Sequence, residues 1–179
     1  WGALFRNWVI VYVGNFAGAI VMAALMAFFG QLNIGGGSLA AYTVKVAAAK
    51  CSLPWMDAFV LGIFCNLLVC IAIYLGNTAN DTSGKILGLF FPVFGFVIAG
   101  FEHCVANMYY IPAGIFALMN PSYSWIAADP VFSNIDVVNF ASFIFNNLIP
   151  VTLGNIIGGA SVGVIMYVAH LKYAKRSDR

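Results

Sequence analysis

The stretch KILGLFFPVFGFVIAGFEHCVANMYYIPAGIFAL, from Lys85 to Leu118, decides how this chain folds. After Lys85 its only acidic or basic side chains are the adjacent pair Glu102-His103. Thirty-four residues would make about 50 Å of helix at 1.5 Å per residue, against a hydrocarbon core of about 30 Å. One straight span is too long for this. The run is therefore expected to break near residues 101–105, at Glu102-His103, leaving apolar flanks of roughly 15–17 residues on either side.

The rest of the chain is equally apolar. Of its 179 residues 63% are hydrophobic and 8% charged, where an ordinary soluble domain carries roughly 45–50% and 25%. Fourteen charges, eight basic and six acidic, cannot dress the surface of a chain this long in water. They also leave long gaps: residues 7–44, 58–80, 104–128 and 137–171 contain no Asp, Glu, Lys or Arg. Each gap can hold a membrane span of about 20 residues. The composition therefore predicts an all-α integral membrane bundle and excludes a soluble domain.

Four segments follow from these gaps, making a single transmembrane domain over 1–179 with spans at about 8–29, 53–76, 85–118 and 142–171. Arg6 precedes the first, and Gly30 with Gly35-Gly36-Gly37-Ser38 ends it. Leu39 to Ala49, which carries Lys45, is too short to span and reads as an interfacial helix. The second segment is expected to open at Ser52 as N-cap, with Pro54 in the first turn and Asp57 at the positive dipole end. It stops in the polar turn Gly76-Asn77-Thr78-Ala79-Asn80-Asp81. Residues 119–139 read as an outer loop holding Asp129 and Asp136, and Pro150 sits near the start of the last segment.

An even number of segments puts both ends on one side. The cluster Lys172, Lys175, Arg176 and Arg179 assigns that side, and the C-terminus, to the cytoplasm. The loop with Lys45 and Lys50 is then external, against the positive-inside bias, which hints at a task for Lys50. Two readings of Lys50 stand side by side: attraction of an anion into an external vestibule, and a snorkelling interfacial lysine. The chain opens Trp-Gly-Ala-Leu without a Met and shows no cleavage site after its first apolar run, so a piece of a longer chain without a signal peptide is expected.

A faint repeat links the first and last segments. Gly14-Asn15-x-x-Gly18 and Gly154-Asn155-x-x-Gly158 place the same pattern inside two apolar helices. Transporter folds are often built of inverted repeats with broken helices. Gly14/Gly18, Gly154/Gly158 and Gly159/Gly163 are small-xxx-small pairs suited to close helix contacts.

Glu102-His103 carries the strongest functional signal. An ionisable group at mid-membrane costs several kcal/mol unless it faces protein or water, so it marks a pathway or a site. A broken helix frees backbone groups, tolerated only where they are buried in protein or line a cavity. N–H groups near Cys104 to Asn107 at the start of the second half-helix favour anions, and imidazole changes charge near neutral pH. The structural alternative is that Glu102 and His103 satisfy each other or neighbouring helix ends. Asn15, Asn66, Asn107 and Asn155 are lone amides in apolar helices, a residue type that usually bonds across helices. Phe96, two turns before His103, suits a hydrophobic constriction or plain packing among sixteen Phe.

Other chemistries find little support. Cys51, Cys65, Cys70 and Cys104 show no CxxC spacing and read as small membrane-core hydrophobes. Glu102, His103 and Cys104 are consecutive, which rarely lets three side chains converge on a metal. Gly84-Lys85 lacks the rest of a phosphate loop. No basic stripe suggests nucleic acid, and no cofactor motif is present.

Four runs carry a resemblance: WGALFRNW (1–8) with Gly14-Asn15, GIFCNLLVC (62–70), GFEHCVANM (100–108) and NLIPVTLGNIIGG (147–159). Together they are similar to the formate/nitrite transporter family across essentially the whole chain. The resemblance implies an aquaporin-like fold of six helices per protomer, of which the four segments here are helices three to six, assembled as a homopentamer with a pore in each protomer of a bacterial inner-membrane protein. It implies that His103 is the central pore histidine, Asn107 its neighbour, Glu102 its support and Lys50 the vestibule lysine. It further implies that Phe96 with Val69 forms a constriction, and that Asn66 and Asn155 are buried polar positions near the pore. Ile111-Pro112-Ala113-Gly114 looks more like formate than nitrite channels, with nitrite and hydrosulfide open. The expected function is proton-coupled passage of a small weak-acid anion without covalent chemistry. An intramembrane enzyme using Glu102 and His103, and a structural or receptor protein, are the rival classes.

Overall fold

The computed structural model describes residues 1–172. In chain order it holds α1 (Gly2–Phe28), α2 (Ser38–Cys51), α3 (Trp55–Thr78), α4 (Thr82–Ile98), α5 (Cys104–Met119), the short α6 (Trp125–Ala128), α7 (Phe140–Ser142) and α8 (Ile149–Met166). A π turn at Phe143–Leu148 joins α7 to α8, and a second, Tyr167–Lys172, extends α8. There is no strand among the described residues. The fold is all-α, as the composition predicts.

Three helical stretches are long and apolar enough to cross a membrane: Gly2–Phe28, Trp55–Thr78 and Phe140–His170. The third expected segment is divided, as its length required, into α4 of 17 residues and α5 of 16. At 1.5 Å per residue these halves measure about 25 and 24 Å, each short of a full span of about 30 Å. Of the basic cluster on which the cytoplasmic assignment leans, Lys175, Arg176 and Arg179 lie outside the described residues.

The chain divides into two compact units. The first comprises Trp1–Trp55 and Cys104–Ile149, with α5 at its centre: Asn107, Met108, Ile111, Pro112, Ala113, Gly114 and Ala117 are all buried there. The helix expected to lie at the interface is α2, and its Ala40, Val44, Ala47 and Cys51 are buried. A Cβ at Gly114 would collide with that of Ala47, so α2 and α5 can approach this closely only because position 114 has no side chain. The expected outer loop is not featureless. Asn120 donates its amide to the Ala27 carbonyl at 2.8 Å, and the Tyr123 hydroxyl donates to Asn33 Oδ1 at 2.9 Å. Tyr123 and Ile126 then complete a cluster with Ala27, Leu32, Ala40, Val44 and Ala117.

The second unit comprises Met56–His103 and the chain from Pro150 onward, and holds α3, α4 and α8. Its contacts are made by glycine. Cβ atoms at Gly154 and Gly158 would fall on the backbone carbonyls of Phe59 and Ile63, and one at Gly62 would stand 2.9 Å from the Val151 carbonyl. On α4, a Cβ at Gly88 would meet Leu75 at 3.1 Å. Without a hydrophobic drive between helices in lipid, such close approach is what makes packing favourable.

Two expectations need correcting. Ser52 is not the N-cap of the second segment: it caps the C-terminus of α2, its N–H bonded to the Ala48 carbonyl, and α3 begins only after Pro54. The Gly14/Gly18 pair makes no close helix contact among the described residues, since nothing lies within 4 Å of a Cβ at either position, and the same holds at Gly163.

Candidate functional site

The break between α4 and α5 is built by local backbone chemistry. Gly100 has φ +70°. There it donates its N–H to the Val97 carbonyl at 3.1 Å, while Phe101 donates to the Phe96 carbonyl at 3.0 Å. This pair of bonds is a Schellman motif, which closes the last turn of a helix and needs a left-handed residue that glycine adopts without a Cβ clash. The orphan carbonyls at the end of α4 thus find donors inside an apolar segment, where water cannot supply them.

Past the stop, the chain runs through Phe101, Glu102 and His103 without helical bonds before α5 starts at Cys104. Phe101 stacks on Phe64 of α3, ring centroids 5.6 Å apart. Glu102 is 3% exposed, and its N–H points at the Leu61 carbonyl at 3.4 Å. Its own carbonyl accepts from Asn155 Nδ2 at 2.9 Å, and the same amide donates to the Gly62 carbonyl at 2.8 Å. Both amide hydrogens of Asn155 are therefore engaged by backbone, one on the break and one on α3. Asn66 in turn donates its amide to the Asn155 carbonyl. This ladder of amides is the cross-helix bonding expected of Asn66 and Asn155, and it leaves Asn155 as a clamp on the break.

The half-buried His103 ring lies against Phe96, centroids 5.9 Å apart and planes 23° from parallel. Phe96 in the last turn of α4 and His103 seven residues later are thus neighbours across the break. Val69 is half-buried on α3, three residues after Asn66. Glu102, His103, Asn66, Asn155, Phe96 and Val69 all belong to the second unit, whereas Lys50 and Asn107 belong to the first.

In the first unit Asn107 is wholly buried and donates its amide to Asn147 Oδ1 at 2.7 Å. Asn147, equally buried, donates to the Lys50 carbonyl at 3.1 Å. The carbonyl can only accept, which fixes the Asn147 amide with its nitrogen towards Lys50 and its oxygen towards Asn107; Asn107 must then be the donor. The Lys50 ammonium, in the last turn of α2, lies 5.8 Å from the centroid of the Tyr110 ring, within the range of a cation–π contact.

Asn147 is a further buried amide, beyond those singled out in the sequence. The signal that picks out Asn66, Asn107 and Asn155, an amide in an apolar helix, applies equally to it. It sits in the π turn Phe143–Leu148, a local widening often found at functional sites. Asn15 went the other way. A lone amide in an apolar helix is expected to bond across helices, yet Asn15 donates to the Val11 carbonyl of its own helix at 2.9 Å. No disulfide links the four cysteines, and no group of three His, Cys, Asp or Glu among the described residues could hold a metal.

Comparison with known proteins bears on this arrangement. The family model described as formate/nitrite transporter matches residues 1–169. The formate channel FocA of Haemophilus influenzae is 41% identical over 162 residues, covering 88% of this chain and 56% of that protein. A probable formate transporter of Methanothermobacter thermautotrophicus is 41% identical over 177 residues, covering 92% of this chain and 58% of its own length. A solved structure described as a pentameric formate channel with formate bound superimposes with a TM-score of 0.85 at 38% identity, over 96% of this chain and 68% of that one. The chain thus spans little more than half the length of these two curated relatives.

Proposed function

Because the chain belongs to the formate/nitrite transporter family and is a multi-pass membrane protein, we propose that it forms the pore-bearing part of a pentameric channel for formate, with His103 coupling passage to protons. The relatives named above are described as channels and transporters, not enzymes, which answers the rival reading of Glu102-His103 as catalytic. The observation that carries the proposal is the helix break itself, where a titratable ring stacked on Phe96 interrupts an apolar segment. A cell would gain nothing from an imidazole in hydrocarbon without a path to it, since such a group costs several kcal/mol unless it meets protein or water.

A formate anion is drawn by the positive charge of Lys50 and by the N–H groups at the start of α5. The apolar constriction of Phe96 and Val69 then strips its water, and the bare charge is penalised by several kcal/mol. Imidazolium at His103 removes that penalty by giving up a proton: the anion becomes neutral formic acid, the ring becomes neutral imidazole, and the ring is reprotonated from water. Glu102 stabilises the charged ring, Asn66 and Asn155 hold the break open, and Asn107 orients the start of α5. By the same chemistry nitrite and hydrosulfide, also conjugate bases of weak acids, are competing substrates. The bacterial inner membrane, with the C-terminus cytoplasmic, is the setting that the relatives and the basic tail support.

Stopped-flow uptake of formate, nitrite and hydrosulfide into vesicles holding the intact protein tests this reading. Formate flux is expected to rise as pH falls, and His103→Ala should remove that dependence. An unchanged pH profile in the variant would end the proton role of His103, and vesicles impermeable to all three anions would end the channel reading.

A further inference from the structure

At the end of the second unit remote from the helix break, α3 and α4 cross at two glycines. A Cβ at Gly76 would meet Leu89 at 3.0 Å, and one at Gly88 would meet the Gly76 nitrogen at 3.3 Å. The backbones touch there, and their side chains splay on either side to leave a groove of about 270 Å³ lined by Ile73, Gly76, Asn77, Lys85 and Leu89. Its walls differ along their length. Ile73 and Leu89 are apolar and exposed at 52% and 44%, while Asn77 and Lys85, both exposed, stand at its rim by the last turn of α3 and the first turn of α4. The groove therefore runs from a cationic, hydrogen-bonding mouth at the helix ends into an apolar slot about one turn deeper. The neighbouring carboxylate, Asp81, is committed to the cap of α4, where it accepts from the Gly84 N–H at 2.8 Å.

A second contact tells which side of the membrane this mouth faces. The Tyr74 hydroxyl, one turn before Thr78, lies 3.3 Å from His170 Nε2 near the end of the last helix. The C-terminal ends of α3 and of that helix are thus side by side. The sequence that follows His170 carries Lys172, Lys175, Arg176 and Arg179, the mark of the cytoplasmic face, where anionic headgroups attract basic side chains.

We propose that this groove holds an anionic phospholipid of the cytoplasmic leaflet, its phosphate against the Lys85 ammonium and the Asn77 amide and one acyl chain along Ile73 and Leu89. The polar rim supplies one full positive charge and two amide N–H donors, which suits a phosphodiester and wastes its charge on a zwitterionic lipid. The slot beyond it suits hydrocarbon and nothing ionic, which separates a lipid from a free phosphate. The proposal does not depend on which anion the pore passes.

Native mass spectrometry of the intact protein in mixed phosphatidylglycerol/phosphatidylcholine micelles tests it. Lys85→Glu should lower retained phosphatidylglycerol about fivefold or more, the size set by one lysine against an anionic surface, with phosphatidylcholine retention unchanged. Lys85→Arg should restore it, and Lys45→Glu, an exposed charge on α2, should leave it as it was. Equal retention by Lys85→Glu overturns the site, as does an equal loss in Lys45→Glu, which would make the attraction one of net charge. Displacement of the lipid by millimolar inorganic phosphate alone would make the ligand a free anion and likewise overturn it.

Discussion

The two helices that carry Gly-Asn-x-x-Gly behave in opposite ways. In α8, Gly154 and Gly158 lie on the carbonyls of Phe59 and Ile63, and Asn155 reaches out of its helix to two backbone oxygens. In α1, Gly14 and Gly18 face open space, and Asn15 turns back onto the Val11 carbonyl of its own helix. The motif is the same and the energetics are not. A small residue permits two backbones to approach, but contact and the bonds that follow need a partner helix whose carbonyls are placed to receive them. An amide without such a carbonyl settles on the nearest local acceptor.

The comparison breaks most visibly at the glycines. Gly158→Val puts a branched side chain where the Ile63 carbonyl already lies, and neither backbone can give way without parting α3 from α8. A loss of about 3 kcal/mol or more is expected, read as a fall in the thermal midpoint of the solubilised protein. Gly18→Val should change it little. An equal fall at both positions would mean that the α1 face is covered in the assembled protein, and would make the two helices alike after all.

Next in size is Asn155→Leu. It leaves the Glu102 and Gly62 carbonyls without their amide partner, at a cost of about 1–2 kcal/mol. Because one of those carbonyls belongs to the break, formate flux should fall along with stability, whereas a role in packing alone would lower stability and leave the flux of the surviving protein intact. Gly100→Ala loosens the same break without touching α8. A left-handed alanine costs about 1 kcal/mol, so the variant should fold, with a smaller loss of stability than Asn155→Leu and altered flux.

How legible these features were depended on whether their cause is local. The division of the third segment was visible because it follows from arithmetic, thirty-four apolar residues against one membrane, and because the polar pair marks where to cut. The stop itself needs only Gly100 and its neighbours. Ser52 misled because a serine beside a proline suits the start of one helix as well as the end of another, and only the bond from its N–H to Ala48 decides. Asn147 was legible by the same signal as Asn66 and Asn155, an amide in an apolar run; its partners were not, because Asn107 and the Lys50 carbonyl lie 40 and 97 residues away. The order within residues 119–139 was invisible for the same reason, since it hangs on Asn120 reaching Ala27.

The smallest expected effect is the sharpest test of the contrast. Asn15 makes a bond within one turn, to a carbonyl that the helix already satisfies through its own ladder. Removing the amide in Asn15→Ala deletes one acceptor-sharing contact, leaves no buried group unpaired, and puts a better helix former on an exposed position. The thermal midpoint should therefore shift by no more than about 0.5 kcal/mol equivalent in either direction, and formate flux should be unchanged. A loss comparable to that of Asn155→Leu would show that Asn15 turns outward to a second helix in the working protein, and the open face of α1 would then be a contact surface awaiting its partner.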